Sequence, residues 1–104
     1  MTTFPNVAVV GMHFRGAHAV EIAAALVEGN TLQLEPEPDN AYDGNALKAI
    51  YDAGEAGLIH IGYIERGQAA WITPLLETGT ATCTVTRTEV RRNNVHPIVE
   101  IVVE

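Results

Sequence analysis

The sequence predicts a mainly β (α+β) domain: a small, curled antiparallel barrel of about six strands that carries two helices. Three observations predict it. Short runs rich in Val, Ile and Thr recur along the chain, each bounded by Gly, Pro, Asn or Asp. Helical periodicity is confined to two stretches, 18–28 and 65–76. The 104 residues suffice for one hydrophobic core but not for two, so 1–104 is read as a single domain.

The elements follow in order. Asn6–Phe14 is the first expected strand, β-branched, with Pro5 before it and Arg15-Gly16 after it. Gly11 inside it signals a bulge or a close backbone approach. His18–Glu28 is the first expected helix. Val20, Ala23, Ala24 and Val27 fall at i, i+3, i+4 and i+7 on one apolar face, and Gly29-Asn30 supplies a stop. Thr31–Glu35 alternates polar and apolar residues, as a half-buried strand does. Ala46–Tyr51 is the next strand, with Lys48 facing out. A flexible turn, Asp52–Gly57, leads into the strand Leu58–Ile64. Glu65–Leu76 is the second helix, with Ala69, Ile72 and Leu76 on one face. Pro74 inside it predicts a kink, or an end near Thr73. Thr80–Val90 and His96–Val103 are the last two strands, joined by a turn at Asn93-Asn94, with Arg87, Arg91 and Arg92 gathered beside it.

The stretch Glu35–Lys48 lies between two of these strands and is built from turn residues. It holds Pro36, Pro38, an Asp43-Gly44 step and two asparagines, which fix φ, accept positive φ or bond their own backbone. It is longer than the usual hairpin connection, and long ordered loops tend to carry function. Read alone, it is a structural tip in which Asp43 and Asn45 satisfy turn amides.

Composition narrows the chemistry. The apolar share, 47%, is ordinary for a folded protein. No apolar run approaches the ~20 residues of a membrane helix. The start, Met-Thr-Thr-Phe-Pro-Asn, has no basic region or apolar core of a signal peptide, so the expected location is the cytoplasm. The single Cys83 alternates with threonines in a strand and reads as a small buried hydrophobe. His13, His18, His60 and His96 show no metal-ligand spacing, and no metal or organic cofactor is expected. The chain has no serine, and no phosphate-binding glycine loop precedes a helix. Catalytic residues are therefore expected to be none. Net charge is −7, from thirteen acidic residues against six basic ones. A protein that grips long nucleic acid by its phosphates is basic, so any such binding here must use a small local patch.

Glu35-Pro36, followed by Asn40-Ala41-Tyr42-Asp43-Gly44-Asn45-Ala46-Leu47-Lys48 and then Ile61-Gly62-Tyr63-Ile64, resembles the HIRAN domain. The family pattern is E-P-x-N-x-Y-D-x-N-A-[IL]-x-V, then a short gap and an [IV]-G-[HY]-[IL] step. The match is good from about Val9 to Ala70 and weak beyond. HIRAN domains occur at the amino end of a fork-remodelling, helicase-like transcription factor and as small bacterial and phage proteins. The resemblance implies a compact SH3-like or OB-like barrel carrying helices. It implies that the glycine of the Ile61-Gly62-Tyr63 step lets the chain turn sharply into the following helix.

HIRAN domains bind single-stranded DNA at a free 3′-hydroxyl end, so the resemblance implies DNA ends as the partner and a DNA-processing protein as a further one. It also implies a set of nucleic-acid-binding residues: His13, Phe14, Arg15, Tyr42, Asp43, Tyr63 and Arg66. Asp43 would accept the hydrogen bond of a terminal hydroxyl, a donor found only at an end. Tyr42 and Phe14 would stack on bases. Arg15 and Arg66 would neutralise phosphates. At 13–15 the basic and aromatic residues come in a different order from the eukaryotic domains, and Tyr63 stands where those have a histidine. Without the resemblance, Tyr42 and Phe14 read as core aromatics and Arg66 as a solvated residue of a helix's first turn. The other functional reading is an acidic protein-interaction or regulatory module, served by a free strand edge that Pro97 guards. The two part on whether Arg15, Lys48, Arg66 and Arg92 converge on one groove beside Tyr42.

Overall fold

The first strand, β1 (Thr2–Val10), ends where Gly11 takes a left-handed φ of 79°. A regular strand does not continue through that conformation without a bulge, and here the ladder with β4 stops at Val10; glycine adopts it at no steric cost. His13, Phe14 and Arg15, expected at the strand's end, therefore stand in a one-turn helix, α1 (Met12–Arg15). At its other end β1 runs back through Pro5 rather than starting after it. Its ladder with the last strand is interrupted there: Phe4 pairs with Ile101 but Val7 with Val99, and Asn6 has φ 58°. The missing proline N–H falls in this bulge.

The computed structural model describes all residues, 1–104. Helix α2 spans Ala17–Ala25. Its buried face is Ala19, Ala23 and Leu26, with Ile22 half-buried, not the expected Val20–Ala23–Ala24–Val27 face, whose two valines are exposed. Both sets have helical spacing. The observed one buries Ile22 and Leu26, which carry more apolar surface than two valines, and area decides at ~25 cal/mol per Å². Strands β2 (Thr31–Pro36), β3 (Leu47–Asp52) and β4 (Leu58–Ile64) follow, with a 3₁₀ turn at Gly54–Ala56. Helix α3 (Arg66–Ile72) tightens into a 3₁₀ turn over Thr73–Glu77, because Pro74 cannot donate to an α-helical ladder. Strands β5 (Ala81–Arg91) and β6 (Asn94–Val103) complete the chain. Their turn is Arg92-Asn93, one residue earlier than expected, with φ of 51° and 66° at its two central positions. That is the handedness a two-residue hairpin requires.

The strands close into an antiparallel barrel in the order β1-β4-β3-β2-β5-β6, with β6 returning to β1. Val7, Val9, Leu47, Ile61, Val85, Val99 and Ile101 form its apolar interior, and Ala19 and Ala23 of α2, Leu26 just after it, and Ala69 and Ile72 of α3 join the same cluster. Closure leaves little free edge. Pro97 guards none: it is buried in β6 and paired opposite Thr88. One part escapes the barrel. β5 meets β2 only through Thr31–Thr84 and Leu32–Cys83, yet pairs with β6 as far as Arg91–Asn94. No helix is long and apolar enough to cross a membrane. Cys83 is buried, and burial pushes its thiol up to about 12.

Candidate nucleic-acid interface

The loop from β2 to β3 is tied shut at its base. Glu37 N–H donates to Ala46 C=O at 2.9 Å, Asn40 N–H to Glu37 C=O at 3.0 Å and Ala46 N–H to Asp43 C=O at 3.1 Å. Inside it, Asn40 Oδ1 accepts from the amides of Tyr42 and Asp43 at 2.9 and 3.1 Å, and Asp43 Oδ1 accepts from the amide of Asn45 at 2.9 Å. Asp43 satisfies a turn amide as expected, but its partner in this role is Asn40 rather than the expected Asn45, whose amide is instead the one that Asp43 meets.

Glu37 joins this loop to the barrel. Its Oε1 accepts from Asn40 Nδ2 at 2.7 Å and from the Tyr63 hydroxyl on β4 at 2.8 Å. Those two bonds hold its carboxyl below the usual 4.5, while burial and the bond to Glu37 raise the Tyr63 phenol above its usual 10.0. Lys48 lies between Glu35 Oε2 at 3.2 Å and Glu37 Oε2 at 3.9 Å. Sequence reasoning missed Glu37 by taking Glu35-Pro36 as the start of the Glu-Pro pattern. The repeat Glu35-Pro36-Glu37-Pro38 offers two registers. Only Glu37-Pro38-Asp39-Asn40 has the single residue that the E-P-x-N spacing demands.

Val10, Asn40, Tyr42, Asp43, Ala46, Tyr63, Ile64 and Arg66 line an open cleft of about 200 Å³. Two of its walls come from paired strands, since Val10 is opposite Tyr63. Gly62 permits that closeness. A Cβ on it would meet the Val10 carbonyl oxygen at 2.6 Å. It is not the sharp turn into α3 that the sequence suggested: it lies within β4, paired with Ala49, and its φ is not positive. Arg66 stands at the start of α3, its Nε 3.7 Å from Asp43 Oδ2. At that distance the two attract without a hydrogen bond. Asp43 thus spends one oxygen on its own turn and leaves the other without a donor.

The expected residues fall into two groups. Tyr42, Asp43, Tyr63 and Arg66 share the cleft. His13, Phe14 and Arg15 lie beside it on α1, after the cleft residue Val10. Arg15 Nε reaches the His60 carbonyl at 3.4 Å, and the His60 ring meets Tyr63 edge-on, 4.8 Å between centroids. Burial, then the charge of Arg15, keeps the His60 imidazole below its usual 6.5. The aromatics expected by default in the core are on the surface: Tyr42 is 89% and Phe14 83% exposed, the latter tilted at 39° against the His13 ring with centroids 4.0 Å apart. The four cations do not share one groove, so the charge distribution does not by itself favour nucleic acid over a protein partner. Arg66 is in the cleft and Arg15 next to it, Lys48 is spoken for by two glutamates, and Arg92 is at the β5–β6 turn.

The HIRAN domain model matches residues 4–103. Among solved structures, a protein from Lactobacillus plantarum aligns with a TM-score of 0.73 at 22% identity, covering 99% of this chain and 95% of its own. The HIRAN domain of human HLTF aligns with a TM-score of 0.65 at 16% identity, covering 95% of this chain and 73% of its own. No curated protein sequence matches the chain.

Proposed function

The chain belongs to the HIRAN domain family, which is associated with DNA binding, and on that premise we propose that it binds single-stranded DNA at a free 3′-hydroxyl end without acting on it. One observation supports this reading above the others. Asp43 Oδ2, paired only with the Arg66 guanidinium at 3.7 Å, accepts no hydrogen bond, while Oδ1 accepts one from the Asn45 amide. A carboxylate in a DNA site repels phosphate, so it needs a donor that an internal nucleotide lacks. A terminal hydroxyl is such a donor, and a hydrogen bond to a charged acceptor contributes ~1.5–3 kcal/mol.

The other residues then take simple parts. The exposed Tyr42 ring offers a face on which the last base stacks, worth ~1–3 kcal/mol. Tyr63, held upright by Glu37, forms the floor. Arg66 balances the charge of Asp43 and meets the terminal phosphodiester. Phe14, His13 and Arg15 on α1 receive the next nucleotide. The acidic surface makes affinity modest and binding local, with few phosphates neutralised.

Fluorescence anisotropy of a short labelled strand tests the reading. The strand with a 3′-hydroxyl should bind roughly ten-fold or more tightly than the same strand with a 3′-phosphate, given the size of one charged hydrogen bond. Equal affinity for both ends would remove the end-reading role, whatever the affinity itself.

A further inference from the structure

Three of the six basic residues, Arg87, Arg91 and Arg92, crowd the tip of the β5–β6 hairpin against a single acid, Glu89. Glu89 aligns two of them. Its Oε2 accepts from Arg87 Nε and Nη2 at 3.1 and 2.6 Å, and its Oε1 from Arg91 Nε and Nη2 at 3.3 and 3.2 Å. Arg87 Nη1 is also fixed by Asn6 Oδ1 at 3.0 Å. Arg92 is different. Its side chain makes no hydrogen bond or ion pair, and its backbone has φ 51° at a turn position that suits Gly or Asn. A residue with a long side chain is strained there, and at an exposed turn no packing compensates. Strain of this kind points to a use for the side chain.

The tip is linked to the cleft through β6 and β1. Glu89 is paired opposite His96. Extending the Ala8–Ile98 register by two residues brings His96 alongside Val10, and His96 Nδ1 lies 3.0 Å from the Val9 carbonyl oxygen. Val10 in turn is opposite Tyr63. From Tyr63 on β4 along the barrel wall across β1 and β6 to Glu89 on β5 is three strand spacings, ~14 Å, and Arg91 and Arg92 lie two and three residues beyond Glu89, a further ~7–10 Å. A stacked single strand that follows the wall covers that in about six to seven nucleotides at ~3.4 Å each, and an extended one in fewer.

We propose that the β5–β6 tip is a second phosphate-binding site, taken by the backbone of the same strand whose 3′ end occupies the cleft. This rests on the end-binding reading above. Arg91 and Arg92 supply the free N–H donors, and Arg87 is held by Glu89 and Asn6 as a fixed positive background. Contacts of this sort carry no sequence or end information; they lengthen the footprint and add salt dependence.

The test compares a dinucleotide with an octanucleotide, both ending in a 3′-hydroxyl, over a range of salt. Wild type should bind the octanucleotide more tightly and with a steeper salt slope. Arg91→Ala with Arg92→Ala should flatten that slope by about 1.4, two phosphates at ~0.7 each, and leave the dinucleotide unchanged. Arg92→Gly should raise the melting temperature, because it relieves the turn, while it weakens octanucleotide binding. A merely structural arginine would not move these two in opposite directions. Glu89→Gln, which removes a repulsive charge, should tighten octanucleotide binding. An octanucleotide ending in 3′-phosphate separates the two sites: equal affinity for both ends with a slope that still responds to the arginines sinks the end reading alone. An unchanged slope in the double variant, with ends still discriminated, overturns the tip. So does an oligoglutamate that displaces the octanucleotide from the tip at equal charge, which would assign the arginines to acidic proteins.

Discussion

The β2–β3 loop and the β5–β6 tip are both polar projections of one barrel, and they are held in opposite ways. The loop is bonded to itself at three backbone positions and to β4 through Glu37 and Tyr63, and its amides are met by Asn40 and Asp43. The tip is held mainly by its own two strands, by one acid shared between two arginines and by single bonds to Asn6 and Val9. The difference sets what each can do. A side chain fixed to within a hydrogen bond's tolerance can tell a hydroxyl from a phosphate. A cation whose side chain has no partner, as Arg92 has none, can only add attraction. Reading an end therefore belongs to the loop, and lengthening the contact belongs to the tip.

The largest effect comes from disturbing the frame on the loop's side. Gly62→Ala drives a methyl into the Val10 carbonyl and should cost ~1–3 kcal/mol of stability by overpacking. Gly44→Ala, in the loop and with no atom near the added methyl, is the control and should cost little. Thermal denaturation of the two decides whether the cleft depends on that close approach. Next, Tyr42→Ala should lose the ~1–3 kcal/mol of one stacked base and leave the melting temperature unchanged, because the ring is free of the core. Val90→Ala at the tip, also exposed, should change neither quantity. A fall in the melting temperature of Tyr42→Ala would show that the ring supports the loop instead.

The smallest effect is in pH. His60 is kept neutral, below 6.5, so the unfolded chain takes up its proton first and stability starts to fall as pH drops under about 6.5. Glu37 and Glu89 sit below 4.5 when folded, so their contributions are complete above that value and lost as pH falls through the folded ones. Tyr63 is raised above 10, and its contribution disappears as pH rises through its folded value. Glu37→Gln should flatten the acid limb and loosen the loop, seen as faster exchange of the Tyr42 and Asp43 amides. Glu89→Gln should leave those amides protected. Matching exchange in the two variants would erase the distinction between the regions.

Strand positions were legible because turn residues bracket β-branched runs: Leu58–Ile64 stands as expected and the other strands are displaced by a few residues at their ends. The end of β1 was not legible. His13 and Phe14 continue an apolar run, and only a backbone conformation at Gly11 cuts it. The buried face of α2 was ambiguous because two sets of residues share one period, and total area chose between them. In the cleft, Tyr42, Asp43, Tyr63 and Arg66 were named by the family resemblance alone, and the structure brings them together. Glu37 was hidden by a repeated Glu-Pro, and His60 by having no motif at all, since its place against Arg15 and Tyr63 exists only once α1 folds onto β4. The tip's arginines were visible as a cluster, but the strain at Arg92 is a property of the turn's register.

The central claim is that Asp43 accepts a hydrogen bond from the strand's terminal hydroxyl, and one double difference tests it. Wild type and Asp43→Asn are each titrated with the same strand carrying a 3′-hydroxyl or a 3′-phosphate. The substitution can keep the turn through Oδ1 but puts an amide donor where the cleft-side oxygen was. The affinity of the variant for the 3′-hydroxyl strand should fall roughly ten-fold or more, the worth of one charged hydrogen bond, and its affinity for the 3′-phosphate strand should change little or rise. A fall of equal size for both ends, or no fall for either, would contradict end reading by Asp43 and leave it a turn residue.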